Sequence, residues 1–74
     1  MKFAIIFGDN YPGTANELSG CVNDGKYWET VVTNMKFDHM NVLYDQQCTK
    51  QRMRDTLISV LELAKPKDLV AVCN

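Results

Sequence analysis

The chain has 74 residues, a net charge of −1, one histidine and three cysteines. That length allows one small domain near the lower limit for a self-supporting core. The charge and the lack of a basic patch argue against a nucleic-acid partner. No apolar run approaches the roughly 20 residues of a membrane span, and the basic-then-apolar start is too short for a signal peptide. Cys21, Cys48 and Cys73 are odd in number and widely spaced. This predicts free thiols in a reducing, cytoplasmic setting, with neither a disulfide framework nor a zinc site.

Phe3 to Phe7, "FAIIF", reads as a strand buried on both faces, ending at Gly8. The polar stretch "GDNYPGTANELSG" follows as a loop. A helix is predicted from Cys21 to Met35, with Ser19 as N-cap and an apolar stripe of Cys21, Trp28, Val31, Val32 and Met35. A second strand is expected at Met40 to Tyr44, ended by Asp45. A second helix follows, with Thr49 as its cap and Met53, Leu57, Val60, Leu61 and Ala64 as its stripe, broken at Pro66. Leu69 to Cys73, "LVAVC", is a third apolar strand.

The order β-α-β-α-β with short joints predicts an α/β fold with a parallel sheet. With the second and third strands on either side of the first (order 2-1-3), the helices cover opposite faces. This is part of a doubly wound, Rossmann-like arrangement of three layers, with ligands expected beyond the carboxyl ends of the strands. Those ends are Gly8, Asp45 and Asn74. The third strand is apolar at nearly every position, so its free edge would be sticky. Residues 1–74 are therefore expected to be the first part of a larger domain, truncated before the remaining strands. That edge is also a candidate for self-association.

The first loop fits neither the dinucleotide nor the P-loop fingerprint and carries Asp9 and Glu17 without a lysine or arginine. His39 is expected in an exposed loop at the amino end of the second strand, away from the expected site, so it makes no Cys–His pair. Cys48 reads as a loop bystander and Cys73 as a small core residue. Asp24 is three residues after Cys21 and four before Trp28, so it shares their helical face. It either stabilises the helix N-terminus or stands as a fixed anion in a cleft. Asp9 and Asp45 fall at strand ends and read equally well as turn residues.

The stretch "FGDNYPG" followed by "LSGCVNDG" resembles the caspase-like cysteine peptidases, in particular metacaspases and their bacterial and phage-like relatives. "NVLYD", "TKQRM" and "AKPKDLV" continue the likeness in order, so it covers essentially the whole chain. The resemblance implies a parent that cleaves peptide or protein substrates after arginine or lysine. It implies that Asp24, with Cys21 beside it, lines the acidic S1 pocket for that basic side chain. In the family the catalytic histidine follows the third strand in an S-G-H-G stretch, and the catalytic cysteine comes a strand later. Residues 1–74 reach neither, so no catalytic residue is expected among them and the chain alone is expected to be inactive. No cofactor is expected within these residues. Calcium, frequent among metacaspases, would act on ligands of the full-length parent. Gly25 stands where the family has alanine, which should weaken the helix by up to about 1 kcal/mol. Asp9 stands in place of a common isoleucine and Lys67 in place of a glycine. A different reading is a non-catalytic caspase-like module that dimerises or pairs with a full-length peptidase. A third is a flavodoxin-like ligand binder.

Overall fold

The structure, a computed structural model, describes residues 1–74. It contains strand β1 (Lys2–Gly8), helix α1 (Cys21–Asn34), strand β2 (His39–Tyr44), helix α2 (Lys50–Leu63) and strand β3 (Leu69–Cys73). A short 3₁₀ turn, Asp45–Gln47, joins β2 to α2. The three strands form one parallel sheet in the order β2-β1-β3. Phe3 pairs with His39 and Gly8 with Tyr44 on one side, and Lys2 pairs with Leu69 and Ile6 with Cys73 on the other.

The central strand explains the layering. Successive side chains of a strand point to opposite faces. Phe3, Ile5 and Phe7 pack with Val60 of α2, while Ala4 and Ile6 pack with Val32 of α1. Each helix thus covers its own face, and β1 is buried on both, as its unbroken apolar run demands.

α2 matches the expected stripe except at one position. Met53, Leu57, Val60 and Ala64 pack on the sheet, but Leu61 points to solvent. Leu61 lies one residue, about 100°, round from Val60, beyond the reach of a sheet only three strands wide. Thr49 is the N-cap and accepts a hydrogen bond from the Arg52 N–H at 3.1 Å. The helix ends at Leu63 with Ala64 already extended, two residues ahead of Pro66. Lys65 then donates its N–H to the Asp68 carboxylate, making the turn into β3.

α1 departs further from expectation. Ser19 is not its cap; Gly20 holds that position and has no side chain to offer. The buried face is Gly25 and Val32 with half-buried Val22 and Glu29 beside them. Trp28 and Met35, predicted to be core, are exposed. The helix is rotated by roughly one residue relative to its apolar stripe because Gly25 admits the Tyr44 ring. A Cβ at Gly25 would meet that ring at 2.5 Å. His39 is also not a loop residue: it opens β2 and stacks on Phe3 with ring centroids 5.0 Å apart.

Only nine residues are buried. The remaining apolar surface is therefore large and is spread over the first loop, both helices and the outer strands. Leu69 and Val72 of the β3 edge are each about half exposed.

Candidate functional site

The carboxyl ends of the parallel strands carry the candidate site. Gly8 ends β1, and a Cβ there would lie 2.8 Å from the Cys21 carbonyl oxygen. Only a glycine lets the strand end meet the start of α1 so closely. The chain then runs through the loop 9–20, which is ordered by its own polar groups. The Asp9 carboxylate accepts from the Tyr11 N–H at 2.7 Å. Tyr11 and Gly13 take positive φ, and the Glu17 carboxylate accepts from the Gly13 N–H.

Asn10 ties this loop to the end of β2 and to the start of α1, and closes the loop on itself. Its N–H donates to the Asp45 carboxylate at 3.0 Å, at the end of β2. Its carbonyl oxygen accepts from the Leu18 N–H at 2.6 Å. Its side-chain Oδ1 accepts from the Cys21 and Val22 N–H groups at 2.9 and 3.2 Å. A helix begins with amides that have no intrahelical partner, and a cap normally comes from the residue just before it. Here that acceptor reaches in from 11 residues away in sequence. Local spacing therefore favours Ser19 as the cap; the sequence signal for Asn10 is its place at the head of the tight Asn-Tyr-Pro-Gly run.

This scaffold places the first turn of α1 over the end of β1. Phe7, Asp9, Tyr11, Leu18, Cys21, Asp24 and Asn74 together line a cavity of about 260 Å³. The two residues singled out from the sequence, Asp24 and Cys21, thus share one recess at the carboxyl ends of β1 and β3. Asp24 is exposed, and the single ion pair of the chain lies elsewhere, between the Met1 ammonium and Asp68. A neighbouring recess of about 170 Å³ is lined by Asp9, Tyr11 and Asp45 among others.

The other titratable residues are engaged differently. Cys48 is half-buried, its thiol directed at the Leu43 carbonyl at 3.2 Å and the Gly8 carbonyl at 3.7 Å. Burial pushes that thiol above its ordinary range, with the nearby Asp9 and Asp45 charges adding to the effect against the Gly8 contact. It packs under α2 and is no bystander in a polar loop. Cys73 packs against Ala4, Ile6 and Val32, and burial raises its thiol as well. His39 stands at the amino end of β2, whereas Cys48 lies at the carboxyl end near Gly8. Five strand steps, roughly 16 Å, separate those ends, so the imidazole and that thiol form no pair. No three histidine, cysteine, aspartate or glutamate side chains gather in a metal-binding arrangement.

Tyr44 marks the other side of α1. Its hydroxyl donates to the Glu29 carboxylate. Burial, followed by that hydrogen bond and the carboxylate charge, pushes the phenol well above its ordinary value.

Comparison with known proteins agrees with this architecture. The family model described as "Caspase domain" matches residues 1–73. Metacaspase-4 of Arabidopsis thaliana is 37% identical over 79 residues, covering 96% of this chain and 19% of that protein. Metacaspase-9 of the same plant is 40% identical over 52 residues, covering 66% of this chain and 16% of that protein. Metacaspase-1 of the yeast Meyerozyma guilliermondii is 32% identical over 76 residues, covering 90% of this chain and 18% of that protein. The chain spans about a fifth of the length of the curated relatives it matches. The strand order, the paired motifs of the first loop and α1, and the matches across residues 1–73 establish that this chain belongs to the caspase-domain family of cysteine peptidases.

Proposed function

We propose that residues 1–74 are the amino-terminal βαβαβ portion of a metacaspase-like cysteine endopeptidase. In this reading Asp24, with Cys21 beside it, forms the acidic floor of the pocket that takes an arginine or lysine side chain. The observation that carries it is the shared cavity of Asp24, Cys21 and Asn74 at the strand ends, with no cation of the chain paired to Asp24. A fixed carboxylate in a recess selects a cationic side chain because a neutral one leaves the charge unmatched. Cleavage itself would come from a thiolate that attacks the peptide carbonyl while an imidazole handles the proton. Neither Cys21, Cys48, Cys73 nor His39 serves in those roles. Calcium, if the parent responds to it, binds acidic ligands outside residues 1–74. Three free thiols support a reducing, cytoplasmic setting.

Asp24→Asn tests the pocket. In the peptidase that contains this segment, kcat/KM for an arginine reporter peptide should fall about 30-fold or more, the cost of removing one partner of a desolvated charge pair. An unchanged arginine preference refutes the assignment. The 74-residue chain alone should cleave no such reporter. Cleavage that persists after Cys21, Cys48 and Cys73 are all replaced by alanine would overturn the reading.

A second reading, a non-catalytic module, is favoured by one observation: the half-exposed Leu69 and Val72 on the β3 edge. Strand addition there would join two copies or a full-length peptidase. Translating the coding DNA past Asn74 separates the two. An in-frame Ser-Gly-His-Gly supports the peptidase, and an immediate stop codon supports the module.

A further inference from the structure

We infer that Asn10, held by Asp45, is the positioning residue of the Asp24 pocket: its side chain acts as the missing cap of α1 and so sets where Cys21 and Asp24 stand. The inference rests on the reading of Asp24 as the pocket acid, and extends it to a residue that touches no substrate. Three observations carry it. Gly20 leaves α1 without a side-chain cap of its own. The Asn10 Oδ1 takes the first two helix amides, Cys21 and Val22, using both lone pairs of one carbonyl oxygen. The Asn10 backbone is itself fixed at both ends, its N–H on the Asp45 carboxylate and its carbonyl under the Leu18 N–H.

The consequence is geometric. The Asp24 N–H bonds to the Gly20 carbonyl, so the pocket acid belongs to the same first turn that Asn10 pins. Leu18 and Cys21, both partners of Asn10, also line the cavity. Asp45 sits at φ +50°, a left-handed conformation, which turns its carboxylate back to Asn10 from the end of β2. One residue thus couples the ends of β1 and β2 to the first turn of α1. Without this acceptor the first turn frays, and Asp24 loses its fixed place relative to Asn74.

The test uses the full 74-residue chain, labelled for NMR, in wild-type form and with Asn10→Ala, Asn10→Asp and Asp24→Asn. Amide exchange at Cys21 and Val22 should be about tenfold faster in Asn10→Ala, the loss expected from removing a cap. It should return to the wild-type rate in Asn10→Asp, whose carboxylate keeps the acceptor. Amides of Ile5 and Val60 should not change. In the second arm, N-acetyl-arginine amide is titrated while the Asp24 amide is followed. Affinity should fall at least about threefold in Asn10→Ala and recover in Asn10→Asp, which a loss of general stability does not produce. Unchanged exchange at Cys21 and Val22 overturns the inference, as does faster exchange with unaltered affinity for the probe. A wild-type chain that shows no response to the probe beyond that of Asp24→Asn overturns the pocket reading instead. In that event faster exchange in Asn10→Ala, restored in Asn10→Asp, still supports the cap. If Asn10→Ala does not fold, Asp45→Gly supplies the comparison. It keeps the positive φ and removes the acceptor of the Asn10 N–H, so faster exchange at Cys21 supports the inference and an unchanged rate overturns it.

Discussion

The Tyr44 ring occupies the space that a side chain at Gly25 would need. A Cβ there would stand 2.5 Å from one ring carbon and 3.0 Å from the hydroxyl oxygen. The glycine therefore has a purpose that helix propensity alone does not reveal. It lets β2 and α1 approach closely enough for the Tyr44 hydroxyl to reach Glu29 one turn further along.

Gly25→Ala sets two effects against each other. Propensity favours alanine by about 1 kcal/mol. The ring must move, and its far end is tethered to Glu29, so overpacking of about 1–3 kcal/mol opposes the gain. A net loss of about 0–2 kcal/mol is expected on balance. In a Tyr44→Leu background the same substitution should become neutral or stabilising. Urea denaturation of the four chains of this cycle measures the coupling.

The two helix starts should respond differently to alanine. Thr49→Ala removes the acceptor for the Arg52 N–H and should cost about 1 kcal/mol. For a domain of this size that lowers Tm by about 4–8 °C. Ser19→Ala should leave Tm within about 2 °C, because α1 does not use that hydroxyl as a cap. A comparable loss at Ser19 would contradict the capping assigned here.

Alkaline stability should carry the mark of Tyr44. Its phenol titrates higher in the folded chain than its ordinary value of 10.0. A raised folded value means that the unfolded chain gives up the proton first. The stabilisation is complete below pH 10 and declines as pH climbs above it toward the folded value. Tyr44→Phe should flatten that decline. Tyrosinate absorbance should show one of the three tyrosines ionising last, together with unfolding.

Thiol reactivity should sort the cysteines by environment. Burial raises both Cys48 and Cys73, which reduces the thiolate available at pH 8. Both should react severalfold more slowly with iodoacetamide in the folded chain than in urea, as peptide mapping by mass spectrometry would record. Equal rates in the two conditions would mean that neither thiol is packed as described.

The β3 edge should govern association. Val72→Lys places a charge on a half-exposed edge position, a known device against strand pairing. If the wild-type chain sediments as a dimer, this variant should shift it toward monomer without loss of helical signal.

Much of the frame was legible because it depends on local pattern. The run Phe3–Phe7 reads as a strand covered on both faces, and two amphipathic segments joined by short turns argue for parallel crossovers. Asp24 and Cys21 fall together because three residues separate them on one helix. What local pattern leaves undecided is rotation and reach. Whether Trp28 or Gly25 faces the sheet depends on Tyr44, which is 19 positions on from Gly25 and carried by a different strand. Leu61 fits the stripe of α2, yet a sheet of three strands does not extend far enough to cover it. The cap of α1 comes from Asn10, across a loop, where the spacing rules for helix starts have no purchase. The sequence by itself thus determined the order of elements, the buried central strand and the motifs of the family. Only the tertiary structure decided how α1 is turned and pinned, because those contacts join residues distant in the chain and are chosen by packing and hydrogen bonding.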